Sequence, residues 1–381
     1  MRNECEECGR GGVGVNHCAS RRGDTEVYHG YRPGQLCRRC HVELLDDPQL
    51  VYPQLLDDDF DFYYCAASGS TRRVLGAMEE THTLVSYLTN NNGRIGTEES
   101  HFVDSGGNPK TFLNNEAISE LRYPTSHSDY LDYVEEVTAG PQDRWALRDF
   151  PVTESIQDEF GLGVVDIQRQ TTEAHRELLD LAGDRDLSAQ PLSVLQGDSV
   201  RDYLLHLDDL KDHGVLTDYV AIGSFALKSA DFKQEAILAI REALSPSIDI
   251  HGLGVSLRTL AKDDVISALR SADSGGWASQ RRNTDHPAWT DDQQVAFRPM
   301  VYEYLEYSRS LGELIEDNKA AQSDDALGRF TDTETAVEKQ WGQALSGETK
   351  RVLDQFTAGT LSHENTPSPG EGEQPNIQTF G

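Results

Sequence analysis

Two aspartates occupy near-identical sequence settings far apart in the chain. Asp104 lies in the segment FVDSGG at 102–107, and Asp273 lies in the segment SADSGG at 271–276. Each follows a short apolar run and precedes a glycine turn, a pattern typical of a carboxylate at the C-terminal end of a β-strand. A facing pair of carboxylates can exchange a group at a sugar C1′, because one attacks the carbon while the other moves protons. The simpler alternative is that Asp-Ser-Gly-Gly only marks a turn.

Polar residues also stand at the other predicted strand ends. These candidates are Asp149, Gln196 with Gly197, Gly223 with Ser224, and His251. An Asp accepts hydrogen bonds from N1–H and the exocyclic amine of guanine, and a Gln side chain or a backbone N–H donates to O6. Together, the residues are predicted to bind a purine edge. Taken singly, Asp149 is also compatible with capping a helix after Pro151, and His251 with a core histidine.

The elements that must position these residues alternate along the chain. Eight short apolar runs are predicted as strands: 62–66, 84–88, 102–104, 145–149, 192–196, 219–223, 248–251 and 271–273. Helical patterns intervene, most clearly at 167–181, 200–213, 231–244 and 259–270. Eight strands alternating with helices predict an α/β fold, a (β/α)8 TIM barrel. An open doubly wound sheet is the alternative, although no GxGxxG follows any strand.

The chain divides into the barrel and its flanking segments. We predict a small N-terminal zinc-binding module at 1–45, a linker at 46–59, the barrel at 60–330, a C-terminal helix at 331–356 and a disordered tail at 357–381. The tail is rich in Pro, Gly, Ser and Glu, a composition that cannot bury a core.

Five of the six cysteines lie in the first 40 residues. Cys5, Cys8, Cys37 and Cys40 form the pattern CxxC…CxxC. Each CxxC offers two thiolates from one tight knuckle, and two knuckles complete a tetrahedral Zn²⁺ site. A redox dithiol is the alternative, but it needs only one CxxC and usually a thioredoxin-like fold. We therefore predict a structural zinc ion.

The cysteine-rich segment resembles a treble-clef knuckle like that of the HNH family, with a hairpin between the knuckles and then a helix. It lacks the HNH catalytic histidine pair, so nuclease activity is not expected. Residues 1–42 carry seven Arg and five acidic residues, a local excess of positive charge. This excess favours contact with phosphate. The alternative role for the zinc is only to fold a module too small to hold a core.

The chain is strongly acidic, with 65 Asp and Glu against 34 Lys and Arg, a formal net charge of −31 and a pI of about 4.6. The acidic residues are dispersed and 37% of the residues are hydrophobic, which indicates a folded protein adapted to high salt. In molar salt the Debye length is only about 3 Å, so a nucleic-acid substrate is not excluded. No apolar run approaches the roughly 20 residues of a membrane span, and no signal-peptide core follows Met1. We expect a soluble, cytoplasmic protein in a high-salt cell.

The order of the strand-end motifs resembles the tRNA-guanine transglycosylase superfamily. The similar segments are FVDSGG at 102–107, RDFP at 148–151, SVLQG at 193–197, YVAIGS at 219–224, HGLG at 251–254 and SADSGGW at 271–277. They extend over about residues 60–285, and their order and spacing make the likeness specific. It is closest to the DpdA-type paralogues, which insert 7-deazaguanines into DNA, including in viruses. A viral gene in a halophilic host fits both this likeness and the acidic composition.

The resemblance implies a pentosyltransferase that exchanges guanine in DNA for a free 7-deazaguanine such as preQ0, without an organic cofactor. It aligns Asp273 with the family nucleophile and Asp104 with the general acid/base. It aligns Asp149, Gln196 and Gly223 with the family's base-recognition positions. The oligomeric state is left open.

One departure from the family concerns the substrate. The tRNA enzymes carry a zinc site of three Cys and one His after the nucleophile, but no Cys follows Cys65 here. The same chemistry on tRNA, and an inactive barrel that only binds nucleic acid, stay open as alternatives. Arg281 and Arg282 follow the predicted nucleophile closely. They are candidates to grip phosphates beside the target nucleotide, and an exposed basic pair is the alternative.

Overall fold

The computed structural model describes residues 19–21, 31–33, 60–89, 93–96, 98–114, 120–225, 228–278, 303–304, 307–308, 310–319 and 345–363. Two short strands come first, and β1 (Ala19–Arg21) pairs antiparallel with β2 (Tyr31–Pro33). This pair falls between the two CxxC motifs, where a hairpin is predicted.

Eight parallel strands close into a barrel, as predicted. They are β3 (Asp61–Cys65), β4 (His82–Ser86), β5 (Ser100–Asp104), β6 (Arg144–Ala146), β7 (Gln190–Leu195), β8 (Tyr219–Ile222), β9 (Asp249–Gly252) and β10 (Ser271–Ser274). Neighbours in sequence are neighbours in the barrel, and β10 closes it by pairing with β3 from Ser271↔Asp61 to Ser274↔Tyr64. All eight predicted strands are therefore present, with ends that differ by a few residues.

Helices follow most of the strands in the described residues. They are α1 (Gly69–Ala77), α2 (Pro109–Leu113), α3 (His127–Val137), α4 (Glu154–Phe160), α5 (Val164–Gly183), α6 (Val200–Asp212), α7 (Ala230–Ala243), α8 (Leu257–Leu260), α9 (Val265–Ala268) and α10 (Gly347–Thr357). Their starts follow from local chemistry: Ser126 with Asp129, and Ser199 with Asp202, form capping boxes that satisfy the first N–H groups of α3 and α6.

The core has an inner and an outer part. Inside the barrel lies a cluster that includes Tyr63, Phe102, Leu192, Val194 and Tyr219. The outer faces of the strands pack against the helices in a larger cluster. Because strands of a parallel barrel are buried on both faces, their sequences are nearly continuous apolar runs, as in β8. That continuity is why the strands could be found in the sequence.

One predicted helix is interrupted. The pattern at 259–270 predicts a single helix, but the structure has the two short helices α8 and α9 there. Asp264 stands between them with a φ of 65°, in the left-handed region that a continuing right-handed helix excludes. The periodicity of the apolar residues does not reveal this break.

The C-terminal part of the described chain lies against the barrel helices. Helix α10 contacts α6 and α7, and the Glu235 carboxylate accepts hydrogen bonds from the Ser346 N–H at 3.0 Å and the Thr349 hydroxyl at 2.6 Å. Leu361, in the segment predicted as a tail, is partly buried against the core. In the described residues, no helix combines the length and the hydropathy needed to cross a membrane.

Candidate active site

A cavity of about 540 Å³ opens at the C-terminal end of the barrel. Each of the eight strands contributes a lining residue at or just beyond its end: Cys65, Ser86, Asp104, Asp149, Gln196, Gly223, Leu253 and Asp273. In a parallel barrel the C-terminal ends of all strands lie on the same side, so residues far apart in the sequence meet there. Six of the eight residues predicted to act in catalysis or base binding line this cavity, including both aspartates of the Asp-Ser-Gly-Gly segments.

Asp273, the predicted nucleophile, is held by groups from two other strands and a loop. Its Oδ1 accepts from the Gly254 N–H at 2.9 Å and contacts His251 Nε2 at 3.2 Å. Its Oδ2 accepts from the Cys65 thiol at 3.0 Å. Asp273 is only 5% exposed, yet it lines the cavity. Both oxygens are therefore fixed in direction while the carboxylate stays at the cavity surface.

Asp104, the predicted general acid/base, lies at the end of β5 on the same cavity. The Gly106 N–H donates to its Oδ2 at 3.2 Å. Burial, the largest cause, and the charge of Asp273 raise the pKa of Asp104 to about 6, against hydrogen bonds that lower it. A carboxyl group with that pKa populates both protonation states near neutral pH, as a group that both gives and takes a proton requires.

Asp149 is a buried carboxyl group with two side-chain partners. Its Oδ1 accepts from the Ser105 hydroxyl at 3.0 Å, and its Oδ2 accepts from the Gln196 amide. Burial and then the charge of Asp104 raise the pKa of Asp149 to about 7. It does not cap the next helix, because Thr153 is the residue that caps α4. The capping alternative is therefore wrong.

Ser224 determines which way the Gln196 side chain points. Its hydroxyl donates to Gln196 Oε1, which leaves Nε2 to donate to Asp149. Ser224 has a φ of 58°, and its Oγ also accepts from the Val152 N–H at 2.9 Å. A Gln side chain carries two N–H bonds on Nε2. One points to Asp149, so the other can donate to an acceptor such as a purine O6.

Two glycines allow backbone to approach these side chains closely. A Cβ at Gly223 would lie 2.4 Å from Gln196 Nε2, and a Cβ at Gly107 would lie 2.7 Å from Asp149 Oδ1 and from the Tyr123 hydroxyl. Contacts that short would displace the amide or the carboxylate. These positions therefore need glycine for the pocket and not only for a turn.

Two residues predicted to bind the base lie elsewhere. Gly197 faces the start of α6, where a Cβ would lie 2.9 Å from the Tyr203 backbone nitrogen. His251 is fully buried, and its ring packs edge-on against the rings of Tyr63 and Phe102. Neither residue lines the cavity: Gly197 permits close packing against α6, and His251 contacts Asp273, so their contact with a base stays a prediction. A polar residue at a strand end can face either the cavity or the barrel interior, and the motif does not distinguish them.

Three further residues contact the candidate side chains and were not predicted. Cys65 donates to Asp273, and Ser105 donates to Asp149. The Tyr123 hydroxyl donates to the Asp149 carbonyl at 2.7 Å and lies 3.0 Å from Ser105 Oγ. Cys65 ends a predicted strand, so the strand-end rule could have included it. No sequence signal marks Tyr123, whose contact bridges 26 residues.

The remaining predicted residues lie outside the described part of the chain. They are Cys5, Cys8, Cys37, Cys40, Arg281 and Arg282. Among the described residues, no group of three or more His, Cys, Asp or Glu side chains is arranged to hold a metal ion. The zinc site and the phosphate contacts stay predictions.

Comparison with known proteins places these residues in a family. No curated protein matches the chain significantly. The model of one family, described as "DpdA: DeoxyPurine in DNA protein A", matches residues 113–333. This range contains Asp149, Gln196 and Asp273, and Asp104 lies shortly before it. Because the match covers more than half of the chain, the protein belongs to the DpdA family.

Proposed function

We propose that the protein is a base-exchange glycosyltransferase that replaces guanine in DNA by a 7-deazaguanine of the preQ0 type. The observation that carries the proposal is that Asp104 and Asp273 line one cavity and interact through their charges. Asp149 and Gln196 line the same cavity and are hydrogen-bonded to each other, and together they offer acceptors and a donor suited to a purine edge. The family description, DeoxyPurine in DNA protein A, supports a purine nucleotide of DNA as the substrate.

In the first half-reaction, Asp273 attacks C1′ of the target deoxyguanosine. A bond forms between a carboxylate oxygen and C1′, and the C1′–N9 bond breaks with its electron pair leaving on the base. Protonated Asp104 gives its proton to the leaving base, so guanine departs neutral. The raised pKa of Asp104, about 6, supports this role because a proton must be available near neutral pH.

In the second half-reaction, the incoming 7-deazaguanine loses its N9 proton to the Asp104 carboxylate while N9 attacks C1′. The bond between C1′ and the Asp273 oxygen breaks and returns its electron pair to the carboxylate. Two displacements at one carbon retain its configuration, so the new base takes the position of the old one. Atoms and charge balance without an organic cofactor.

Base recognition is assigned to Asp149 and Gln196. The Asp149 carboxylate is proposed to accept from N1–H and the exocyclic amine, and the free N–H of Gln196 is proposed to donate to O6. Guanine and 7-deazaguanines share this edge, so one set of contacts serves the leaving and the incoming base. Since C1′ must reach the cavity at the barrel mouth, the target nucleotide is proposed to leave the base stack. Arg281 and Arg282 are proposed to hold the flanking phosphates.

Nucleoside mass spectrometry tests the proposal. DNA and tRNA are digested separately from cells that express the wild type or the Asp273→Asn variant, with preQ0 supplied. We expect a 7-deazaguanine deoxynucleoside in DNA with the wild type only. A modification found only in tRNA would show that the substrate is tRNA and not DNA. No modification in either, together with failure of the purified protein to incorporate labelled guanine into DNA, would contradict the proposal and favour an inactive nucleic-acid-binding barrel.

A further inference from the structure

We propose that His251 is a positioning residue that orients Asp273 so that Oδ2, and not Oδ1, bonds to C1′. The chemical consequence rests on the proposed function. The contacts that support it belong to the protein alone, and they can be tested without any substrate.

The two oxygens of Asp273 have different surroundings. Oδ1 lies 2.9 Å from the Gly254 N–H group and 3.2 Å from His251 Nε2. Among the described residues, Oδ2 accepts one hydrogen bond, from the Cys65 thiol at 3.0 Å. A thiol is a weak donor. A backbone N–H and an imidazole nitrogen therefore contact Oδ1, while Oδ2 keeps electron density available for a carbon in the cavity.

A chain of hydrogen bonds inside the barrel fixes the orientation of the imidazole. His251 Nδ1 lies 2.6 Å from the Ser271 Oγ, and this oxygen also bonds the Tyr219 hydroxyl. A neutral imidazole has one N–H and one acceptor nitrogen. If Nε2 carries the hydrogen and donates to Asp273, then Nδ1 accepts from Ser271 and Ser271 accepts from Tyr219. Every proton in this chain is directed toward Oδ1.

The opposite proton order is unfavourable. It would aim the Nε2 lone pair of His251 at the Asp273 carboxylate across 3.2 Å, which is electrostatically repulsive. It would also reverse the Ser271 hydroxyl, which would then have to donate to Tyr219. The structure therefore selects the tautomer protonated on Nε2.

Packing prevents the imidazole ring from turning away. The centroid of the Phe102 ring lies 4.6 Å from the centroid of the imidazole, and that of the Tyr63 ring lies 5.9 Å from it, both in edge-on contacts. His251 is fully buried and is not among the residues that line the cavity. We therefore expect any effect that it has on catalysis to pass through Asp273, which it contacts.

Kinetics of three variants test the positioning role, with labelled guanine exchanged into DNA. For His251→Leu we expect kcat to fall by about 10²-fold, the scale of a misplaced reacting group. The KM for guanine should stay nearly unchanged, because Asp149 and Gln196 lie on other elements. His251→Gln should restore most of kcat, since its amide nitrogen can donate like Nε2. Cys65→Ala is the matched control, because it removes the donor to Oδ2, and its kcat should fall much less than that of His251→Leu.

Melting temperatures measured on the same variants separate positioning from stability. The proposal is overturned if folded His251→Leu keeps the kcat of the wild type, or if His251→Gln is no better than His251→Leu. If His251→Leu does not fold, the comparison of His251→Gln with Ser271→Ala replaces it. Ser271→Ala removes the donor to Nδ1. A kcat equal to that of the wild type would contradict the proposed role of the hydrogen bonds from Tyr219 through Ser271 to His251.

Nitrogen NMR of the free wild-type protein gives an independent readout. We expect the His251 imidazole to be protonated on Nε2 and unprotonated on Nδ1. Protonation on Nδ1 alone would overturn the proposal whatever the activity. If the protein shows the expected tautomer but exchanges no base, the proposed function is wrong. The described orientation of Asp273 would still hold in that case.

Discussion

The two Asp-Ser-Gly-Gly segments have the same sequence but different chemical surroundings. In the first, the Gly106 N–H donates to Asp104, Ser86 and Ser105 also favour its charged form, and burial with the charge of Asp273 raises its pKa to about 6. In the second, three groups contact Asp273: the Gly254 N–H, His251 and the Cys65 thiol. The first surroundings suit a group that exchanges protons, and the second suit a fixed nucleophile.

The serines of the two segments differ in the same way. Ser105 donates to Asp149 at 3.0 Å and so connects the first segment to the carboxyl group proposed to bind the base. Ser274 accepts from the Gly276 N–H at 2.9 Å and so closes a local turn. The local sequence therefore places a carboxylate at a strand end, while residues from other strands decide its role.

The largest effect is expected from the second segment. Asp273→Asn removes the oxygen anion that forms the glycosyl bond, so exchange of labelled guanine into DNA should fall by at least about 10⁴-fold. The fold should be intact by circular dichroism. An exchange rate equal to that of the wild type would contradict the assignment of Asp273 as the nucleophile.

A smaller loss is expected from the first segment. Asp104→Asn cannot give or take a proton, and exchange should fall by about 10² to 10⁴-fold. Rapid-quench kinetics should still detect some attachment of DNA to the protein. If Asp104→Asn is as inactive as Asp273→Asn and forms no attachment, the division of roles between the two segments is wrong.

The pH dependence of the two half-reactions sharpens the same comparison. The pKa of Asp104 is raised to about 6. Release of guanine needs the protonated acid, so its rate should fall as the pH rises through about 6. Addition of the new base needs the carboxylate, so its rate should rise over the same range. In Asp104→Asn both transitions should disappear, and persistence of either would assign it to another group.

Asp149→Asn tests the proposed base-binding carboxyl group, which accepts a hydrogen bond from Ser105 of the first segment. In the carboxamide an NH2 group replaces one of the two acceptor oxygens and would face a donor of the base, so kcat/KM for the free base should fall by roughly 10²-fold.

Stability measurements on Asp149→Asn follow from its pKa, which is raised to about 7. The folded protein then binds this proton more tightly than the unfolded chain, so the carboxyl lowers the free energy of unfolding as the pH rises from about 4 through 7. The decrease in melting temperature over that range should be smaller in the variant. An unchanged decrease would show that Asp149 does not contribute to it.

The second glycine of the first segment and the first glycine of the second segment give a comparison with a smaller effect. A Cβ at Gly107 would lie 2.7 Å from Asp149 Oδ1, whereas a Cβ at Gly275 would lie 3.8 Å from its nearest neighbour, Cys65. Gly107→Ala should therefore raise the KM for guanine by about tenfold. Gly275→Ala should remain close to the wild type. Equal effects in the two variants would show that the glycines serve only as turns.

The smallest effect on the chemistry is expected outside both segments. Cys8→Ser removes one of the four predicted thiolate ligands, so bound zinc, about one per chain in the wild type, should be lost on metal analysis. Exchange in a short single-stranded DNA should change little, because both aspartates lie in the barrel. Unchanged zinc content in Cys8→Ser would refute the predicted site.

The barrel and most of the cavity wall could be predicted from the sequence. The strands are continuous apolar runs because both of their faces are buried, as in Tyr219–Ile222. Residues at strand ends converge by the symmetry of the barrel, so Asp104, Asp149 and Asp273 could be grouped without knowing the packing.

What the sequence did not reveal depends on contacts between strands. The direction of His251, into the barrel and not the cavity, follows from its packing against Phe102 and its bond to Ser271. Tyr123 reaches Asp149 from a loop. The helix break at Asp264 depends on a single backbone conformation. None of these leaves a periodic pattern in the sequence.

Mapping of the covalent intermediate tests the central claim most directly. The wild type is mixed with DNA in the absence of free base, quenched in acid and digested, and the peptides are identified by mass spectrometry. We predict a deoxyribose-linked DNA fragment on Asp273, absent from Asp273→Asn and released when labelled guanine is added before quenching. An adduct on Asp104, or base exchange that proceeds in the wild type with no adduct on Asp273, would contradict the account.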